Sequence, residues 1–188
     1  MADLFAAADF PWWIAGGYAI EMAVGRSFRE HGDLDVLVLR RDQLRLRALL
    51  AAWDLHLADP PGAGTLREWP ESVGVPPLVH DVWCRRAPGQ PWSIQLMLDE
   101  SDGDQWVSRR DARVRRPVAH LGHLTADGIP YLRPAVQLFY KAKGIRAKDQ
   151  LDFEAVLPLL DAEDRAWLAS ALELTLPGHL WQGRLTPR

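Results

Sequence analysis

The chain has 188 residues, 48% of them hydrophobic and 25% charged, with a formal net charge of −3. That length and apolar content suit one domain or two small lobes around a sizeable core, and the acidic balance argues against a general nucleic-acid binder, which carries a basic excess. Cys84 is the only cysteine, so no internal disulfide forms, and Met1-Ala2-Asp3-Leu4-Phe5 is acidic rather than basic; with no apolar run near the roughly 20 residues that span a bilayer, we expect a cytoplasmic protein without a membrane partner.

In chain order, Ala2 to Ala8 reads as a short helix and Trp12 to Ala15 as a strand that enters Gly16-Gly17. Tyr18 to Val24 is a helix, closed by Gly25 at the position glycine favours just past a helix. Leu34 to Leu39 is the next strand, and Asp42 to Trp53 a helix with leucines at 44, 46, 49 and 50. Pro60 to Pro77 is broken by prolines and glycines too often for a long element and reads as a loop. Leu78 to Cys84 and Trp92 to Leu98 read as two strands joined around Pro88-Gly89, a hairpin signal. Beyond Pro134 the pattern turns helical over Ala135 to Lys143, Asp149 to Leu160 and Glu163 to Leu174, with Pro158 kinking or shortening the middle helix. The sum is an α/β (α+β) chain: an N-terminal lobe over 1–125 and a C-terminal helical lobe over 126–188, with the change of pattern near 117–133.

The chemistry concentrates around Gly16-Gly17 and, one helix later, His31-Gly32-Asp33-Leu34-Asp35. Side chains alternate along a strand, so Asp33 and Asp35 share a face. Two carboxylates side by side repel unless a cation sits between them, and magnesium suits such hard oxygen ligands. Asp-x-Asp alone is common turn chemistry, but Asp35 runs directly into Val36-Leu37-Val38-Leu39, where a charge without a partner is costly. A glycine pair at a strand-to-helix turn offers backbone N–H groups to phosphate. No P-loop run, zinc-ligand spacing or Gly-x-Ser-x-Gly elbow occurs.

Gly-Gly-x-Ala-Ile at 16–20, the basic segment Arg26-Ser27-Phe28-Arg29 and His-x-Asp-x-Asp before a strand resemble the nucleotidyltransferases of the polymerase-beta type. The likeness is greatest to the aminoglycoside 2''-adenylyltransferase-like family, with lincosamide nucleotidyltransferases as more distant relatives. It continues through His80-Asp81-Val82-Trp83, Trp106-Val107-Ser108-Arg109-Arg110-Asp111 and Lys148-Asp149-Gln150-Leu151-Asp152-Phe153, and so covers nearly the whole chain. The resemblance implies a mixed sheet flanked by helices in the N-terminal lobe, ATP as the nucleotide and magnesium (Mg2+) as the cofactor. It also implies that Lys148 reaches the triphosphate from the helical lobe.

Nucleotidyl transfer uses a third carboxylate that can take the proton of the attacking hydroxyl. Asp81, mid-strand among apolar residues, is the candidate; Asp99 competes but opens the acidic turn Asp99-Glu100-Ser101-Asp102-Gly103-Asp104 and reads as solvated. The catalytic and metal-binding set is therefore Asp33, Asp35 and Asp81, and the nucleotide-binding set Gly16, Gly17, Arg29, His31 and Lys148. Lys141, Lys143 and most of the basic run Arg109 to Arg116 read as solvated. Nine tryptophans read mostly as packing, although one, such as Trp83 or Trp92, could stack on the base or a sugar ring. The expected activity is transfer of AMP from ATP to a hydroxyl of a small, aminoglycoside-like acceptor, toward which the acidic turn could help attract cationic groups. The alternative is a nucleotidyltransferase-like component of a toxin–antitoxin pair, acting on a protein or RNA partner.

Overall fold

The computed structural model describes residues 2–185; Met1 and residues 186–188 of the expected helical lobe lie outside the described residues. The chain runs α1 (Ala2–Phe5), β1 (Trp12–Ile14), α2 (Gly16–Val24), β2 (Leu34–Leu39), α3 (Gln43–Leu49), β3 (Asp54–Ala58), β4 (Leu66–Glu68), β5 (Asp81–Arg85) and β6 (Ile94–Asp102). There follow β7 (Gln105–Val107), β8 (Arg115–Pro117), β9 (Gly122–Leu124), β10 (Pro130–Leu132), α4 (Pro134–Lys141), α5 (Ala147–Val156), α6 (Ala162–Thr175) and α7 (Gln182–Leu185).

The strands form one mixed sheet in the order β4-β3-β5-β6-β2-β1-β10-β9, from which β7 and β8 lead off the end of β6. β2 lies parallel to β6 and β1 parallel to β10, while β5 and β6 make the antiparallel hairpin expected around Pro88-Gly89. Alternation divides the core. Val36, Val38, Val82, Leu96 and Leu98 pack on one face with Leu46, Leu50 and Trp69, whereas Leu37, Leu39 and Met97 pack on the other with Ile20, Val136, Phe139 and Phe153. The second face is the one covered by α2, α4 and α5, and Asp35 belongs to it because it lies two residues from Leu37.

Boundaries shift where long-range partners outweigh local pattern. α2 begins at Gly16 instead of Tyr18, its first N–H donated to Gln137 Oε1 on α4 at 2.8 Å. Gly25 closes it in the left-handed region at φ 77°, its N–H donated to Glu21 O. The helix expected over 42–53 is a 3₁₀ turn plus α3, because residues 54–58 leave it to pair with β5. Pro158 shortens α5, which ends at Val156 and continues as a 3₁₀ turn over Leu157–Leu159. The expected lobe boundary at 125/126 cuts the β9–β10 hairpin, whose second strand pairs with β1; the sheet ends at Leu132 and the helices begin at Pro134. No helix among the described residues is long and apolar enough to cross a membrane.

Candidate active site

β2 places Asp35 at the edge of the helix-covered face, and Asp33, one residue before the strand, lines the same cavity. Asp35 stands in register with Gln95, which stands in register with Trp83, so Asp81, two residues from Trp83, shares that face. Gln95 Nε2 donates to Asp81 Oδ1 at 3.1 Å. Among the described residues no three His, Cys, Asp or Glu side chains gather into a metal-binding group. Asp33 and Asp35 line one cavity, and Asp81 lines the adjoining one with Asp35.

Burial pushes the Asp35 carboxyl up to about 6, and the charges of Asp33 and Asp81 add to this, while Lys141 and Lys148 pull it down. The glycine pair is shaped to this carboxylate. Gly16 has φ 66°, and a Cβ there would lie 1.7 Å from Asp35 Oδ2; a Cβ on Gly17 would lie 2.1 Å from Arg29 Nη2 and 2.2 Å from His31 Cε1. Since the Gly16 N–H is spent on Gln137, the expected phosphate-facing backbone narrows to Gly17, which lines the cavity.

Arg29 lines the same cavity but has a partner the sequence did not reveal. Its Nε and Nη2 donate to the two oxygens of Asp152 on α5 at 2.9 and 3.0 Å, a bidentate pair, and its Nη1 donates to His31 Nδ1 at 3.0 Å. The His31 proton therefore sits on Nε2, 3.1 Å from Glu21 Oε1, and the ring stacks on Tyr18. Burial alone would raise the Glu21 pKa, but the N–H groups of Phe28 and Arg29, with His31 and Ser27, hold it near about 2. His31 thus orders the turn into β2.

Lys141 is not solvated as expected. It is buried on α4, with Nζ 2.8 Å from Asp152 Oδ2 and 3.2 Å from Asp149 Oδ1. Arg146 completes the network with Nε 2.6 Å from Asp149 Oδ2, and it outweighs with Lys141 the effect of burial, leaving Asp149 at about 2. Lys148 stays exposed, forms no ion pair among the described residues, and lines a cavity of about 220 Å³ with Gly17, His31, Asp33, Asp35 and Lys141. Arg26 is exposed.

Past Asp35 the cleft continues. A cavity of about 260 Å³ shares Asp35, Gln95 and Lys141 with the first and adds Asp81 and Tyr140; a wider one of about 620 Å³ shares Asp81, Arg109 and Arg110 with the second. Asp99 is on the same face but is not a solvated turn carboxylate, because β6 runs on to Asp102 and seals it completely. Its Oδ2 accepts from Trp106 Nε1 at 2.5 Å and from the Tyr140 hydroxyl, and burial pushes it up to about 6. The basic run is likewise less solvated than expected: Arg116 is buried against Asp164 at 2.7 Å, and Arg110 donates to the Phe139 and Tyr140 carbonyls. Trp92 lies against Arg85 and His56.

A family model described as aminoglycoside-2''-adenylyltransferase matches residues 1–57, the segment with the glycine pair and both first carboxylates. No curated protein matches the sequence significantly. The crystal structure of ANT(2'')-Ia in complex with adenylyl-2''-tobramycin superposes with a TM-score of 0.56 at 11% identity, covering 92% of each chain. The lincomycin-bound lincosamide antibiotic adenylyltransferase LnuA gives 0.56 at 14% identity, covering 84% of this chain and 92% of that one. A solution structure of ANT(2'')-Ia gives 0.57 at 15% identity, covering 92% of this chain and 86% of that one. The fold is therefore the one these structures share. Over residues 1–57 the family match agrees with the resemblance read from the motifs.

Proposed function

We propose that this chain transfers AMP from ATP to a hydroxyl of a small molecule and releases pyrophosphate, with antibiotics of the aminoglycoside and lincosamide kinds the first acceptors to test. The observation that supports it most is the seating of Asp35 against Gly16, with Asp33 beside it and Lys148 and Lys141 in the same cavity. That cavity combines hard oxygen donors with cations, which is what a metal–triphosphate needs.

The donor set fits magnesium. Mg2+ is commonly bound by one or two carboxylates together with substrate phosphates and waters, so Asp33 and Asp35 would hold it without Asp81 as a third protein ligand. When bound, the ion would neutralise charge on the attacking, transferring and leaving oxygens. The chain's own residues supply the rest. Lys148 and Gly17 would hold the triphosphate, and Lys141, fixed by Asp149 and Asp152, would set the positive potential beneath it. Asp81 would take the acceptor proton: Gln95 holds Oδ1, and Oδ2 has no hydrogen-bond partner among the described residues. The acceptor oxygen then bonds to the α-phosphorus as the α–β bridge breaks. Asp99, sealed under Trp106 and Tyr140, is a less suitable base. Nothing in the fold or the comparisons favours the toxin–antitoxin reading.

Incubation with ATP labelled at the α-phosphorus, magnesium and a panel of hydroxyl acceptors tests this reading. Acceptor-dependent label transfer with equimolar pyrophosphate is expected; pyrophosphate release that ignores the acceptor would count against it.

A further inference from the structure

Asp81 is the first residue of β5, and the stretch that delivers it, residues 69–80, follows β4 without a helix or strand of its own and contains Pro70, Pro76 and Pro77. Pairing with β6 reaches one residue back, where the Leu98 N–H donates to His80 O at 2.7 Å. Upstream of that, the segment has no ladder to hold it, so its carbonyls need partners from elsewhere.

A polar stripe supplies them. Arg40, Gln43 and Arg47, at i, i+3 and i+7 across the 3₁₀ turn and α3, all reach this segment. Arg47 Nε donates to Trp69 O at 3.1 Å, and Gln43 Oε1 accepts from the Val75 N–H at 2.6 Å. Arg40 takes the last stretch. Its Nη1 donates to Val75 O and Pro76 O at 3.4 and 3.3 Å, and its Nη2 to Val79 O at 2.7 Å and His80 Nδ1 at 2.9 Å. Its Nε is fixed by Glu100 Oε1 at 2.5 Å.

These contacts link the strands of the site. Arg40 directly follows β2, which carries Asp35, and Glu100 lies on β6, between β2 and β5 in the sheet. Gln95 holds the Asp81 side chain, while Arg40 holds the backbone just before it. Arg40 itself lines none of the three cavities of the cleft.

We infer that Arg40 is a positioning residue: through Val79 and His80 it sets where Asp81 stands relative to Asp33 and Asp35, and so the rate at which the acceptor hydroxyl loses its proton. This inference rests on the nucleotidyl-transfer reading, with Asp81 as its base. Lysine at position 40 would keep the charge but lose the planar fork, and one ammonium cannot meet acceptors spread from Val75 to Glu100. A role through charge alone would survive that change; a positioning role does not.

The test measures label transfer from α-labelled ATP in magnesium, with tobramycin and lincomycin as acceptors, for the full chain and for Arg40→Lys, Asp81→Asn and the double variant. Arg40→Lys should lower kcat at least about tenfold, as a slightly misplaced catalytic group does, with ATP affinity by calorimetry within about twofold of wild type. In the Asp81→Asn background the same change should cost less than about twofold, because a base that is absent cannot be misplaced. Should Arg40→Lys fail to fold, Glu100→Ala, at a partly exposed residue, frees Arg40 Nε and should give a kcat-only loss that likewise vanishes with Asp81→Asn. Full kcat in the folded variant, a loss that falls on ATP affinity, or a loss of equal size without Asp81 would overturn the inference alone. No transfer by the wild-type chain would sink the nucleotidyl-transfer reading and this inference with it.

Discussion

The two ends of the cleft are both cationic, but only at one are most of the cations paired with buried carboxylates. At the α5 end, Arg29, Lys141 and Arg146 are paired with Asp152 and Asp149, both nearly sealed from solvent. At the α6 end, Arg109 and Lys143 lie exposed without such partners. A buried network fixes positions in advance and holds the sheet and helices in one arrangement, as suits a triphosphate whose geometry is always the same. Exposed cations without such partners are held less rigidly.

The largest effect should come from the residue between the two ends. Asp81→Asn keeps shape but cannot take the proton, so kcat should fall by roughly 10²–10⁴ with nucleotide affinity nearly unchanged. Single-turnover label transfer measures it, and a KM effect without a kcat effect would make Asp81 a binding group only.

Breaking the paired end should cost stability as well as activity. Asp152→Ala strands Arg29 and Lys141 without their shared partner, a change worth about 3–5 kcal/mol in a buried network. Urea unfolding checks this; a midpoint close to wild type would mean that the network is not what joins the helices to the sheet. The equivalent change at the open end, Lys143→Ala, should leave the midpoint where it is.

Asp99 sharpens the contrast between burial and exposure through pH. Its carboxyl is raised to about 6 in the folded chain against an ordinary 3.8, so the protonated form is the one folding favours. Its contribution to stability is fully present below about pH 3.8 and lost as pH rises through about 6, a change on the order of 3 kcal/mol. Asp99→Asn should flatten the stability profile over that window, and an unchanged slope would show that Trp106 and Tyr140 already stabilise the charged form.

The smallest effect concerns Lys148, the free cation of the paired end. Lys148→Ala should weaken triphosphate binding roughly threefold to tenfold and leave acceptor binding alone, since one ammonium at the surface is a modest point charge. Separate titrations with nucleotide and acceptor distinguish the two.

Much of this site was legible locally. Asp33, Asp35, Gly16 and Gly17 announce themselves because strand alternation and the strand-to-helix turn are short-range, and Asp81 did so because a lone carboxylate in an apolar strand needs a reason. Lys141 was read as solvated because its partners lie 8 and 11 residues away on another helix. Asp149 and Asp152, three apart on α5 and facing it, were the available signal. The acidic turn misled for the opposite reason: composition suggested a turn, but pairing with β7 carries β6 to Asp102, and Asp99 is buried. β3 and β4 went unread because three- to five-residue strands hold too few alternations to stand out from a proline-rich loop.

The central claim is that Asp33 and Asp35 hold a metal-bound nucleoside triphosphate, and calorimetry of ATP binding in magnesium and in chelator tests it most directly. The account predicts saturable binding in magnesium, binding at least about tenfold weaker in chelator because two carboxylates then face a polyanion, and loss of that metal dependence in Asp33→Asn and Asp35→Asn variants that keep the fold. Equal affinity with and without the metal, or metal dependence that survives both substitutions, would contradict it.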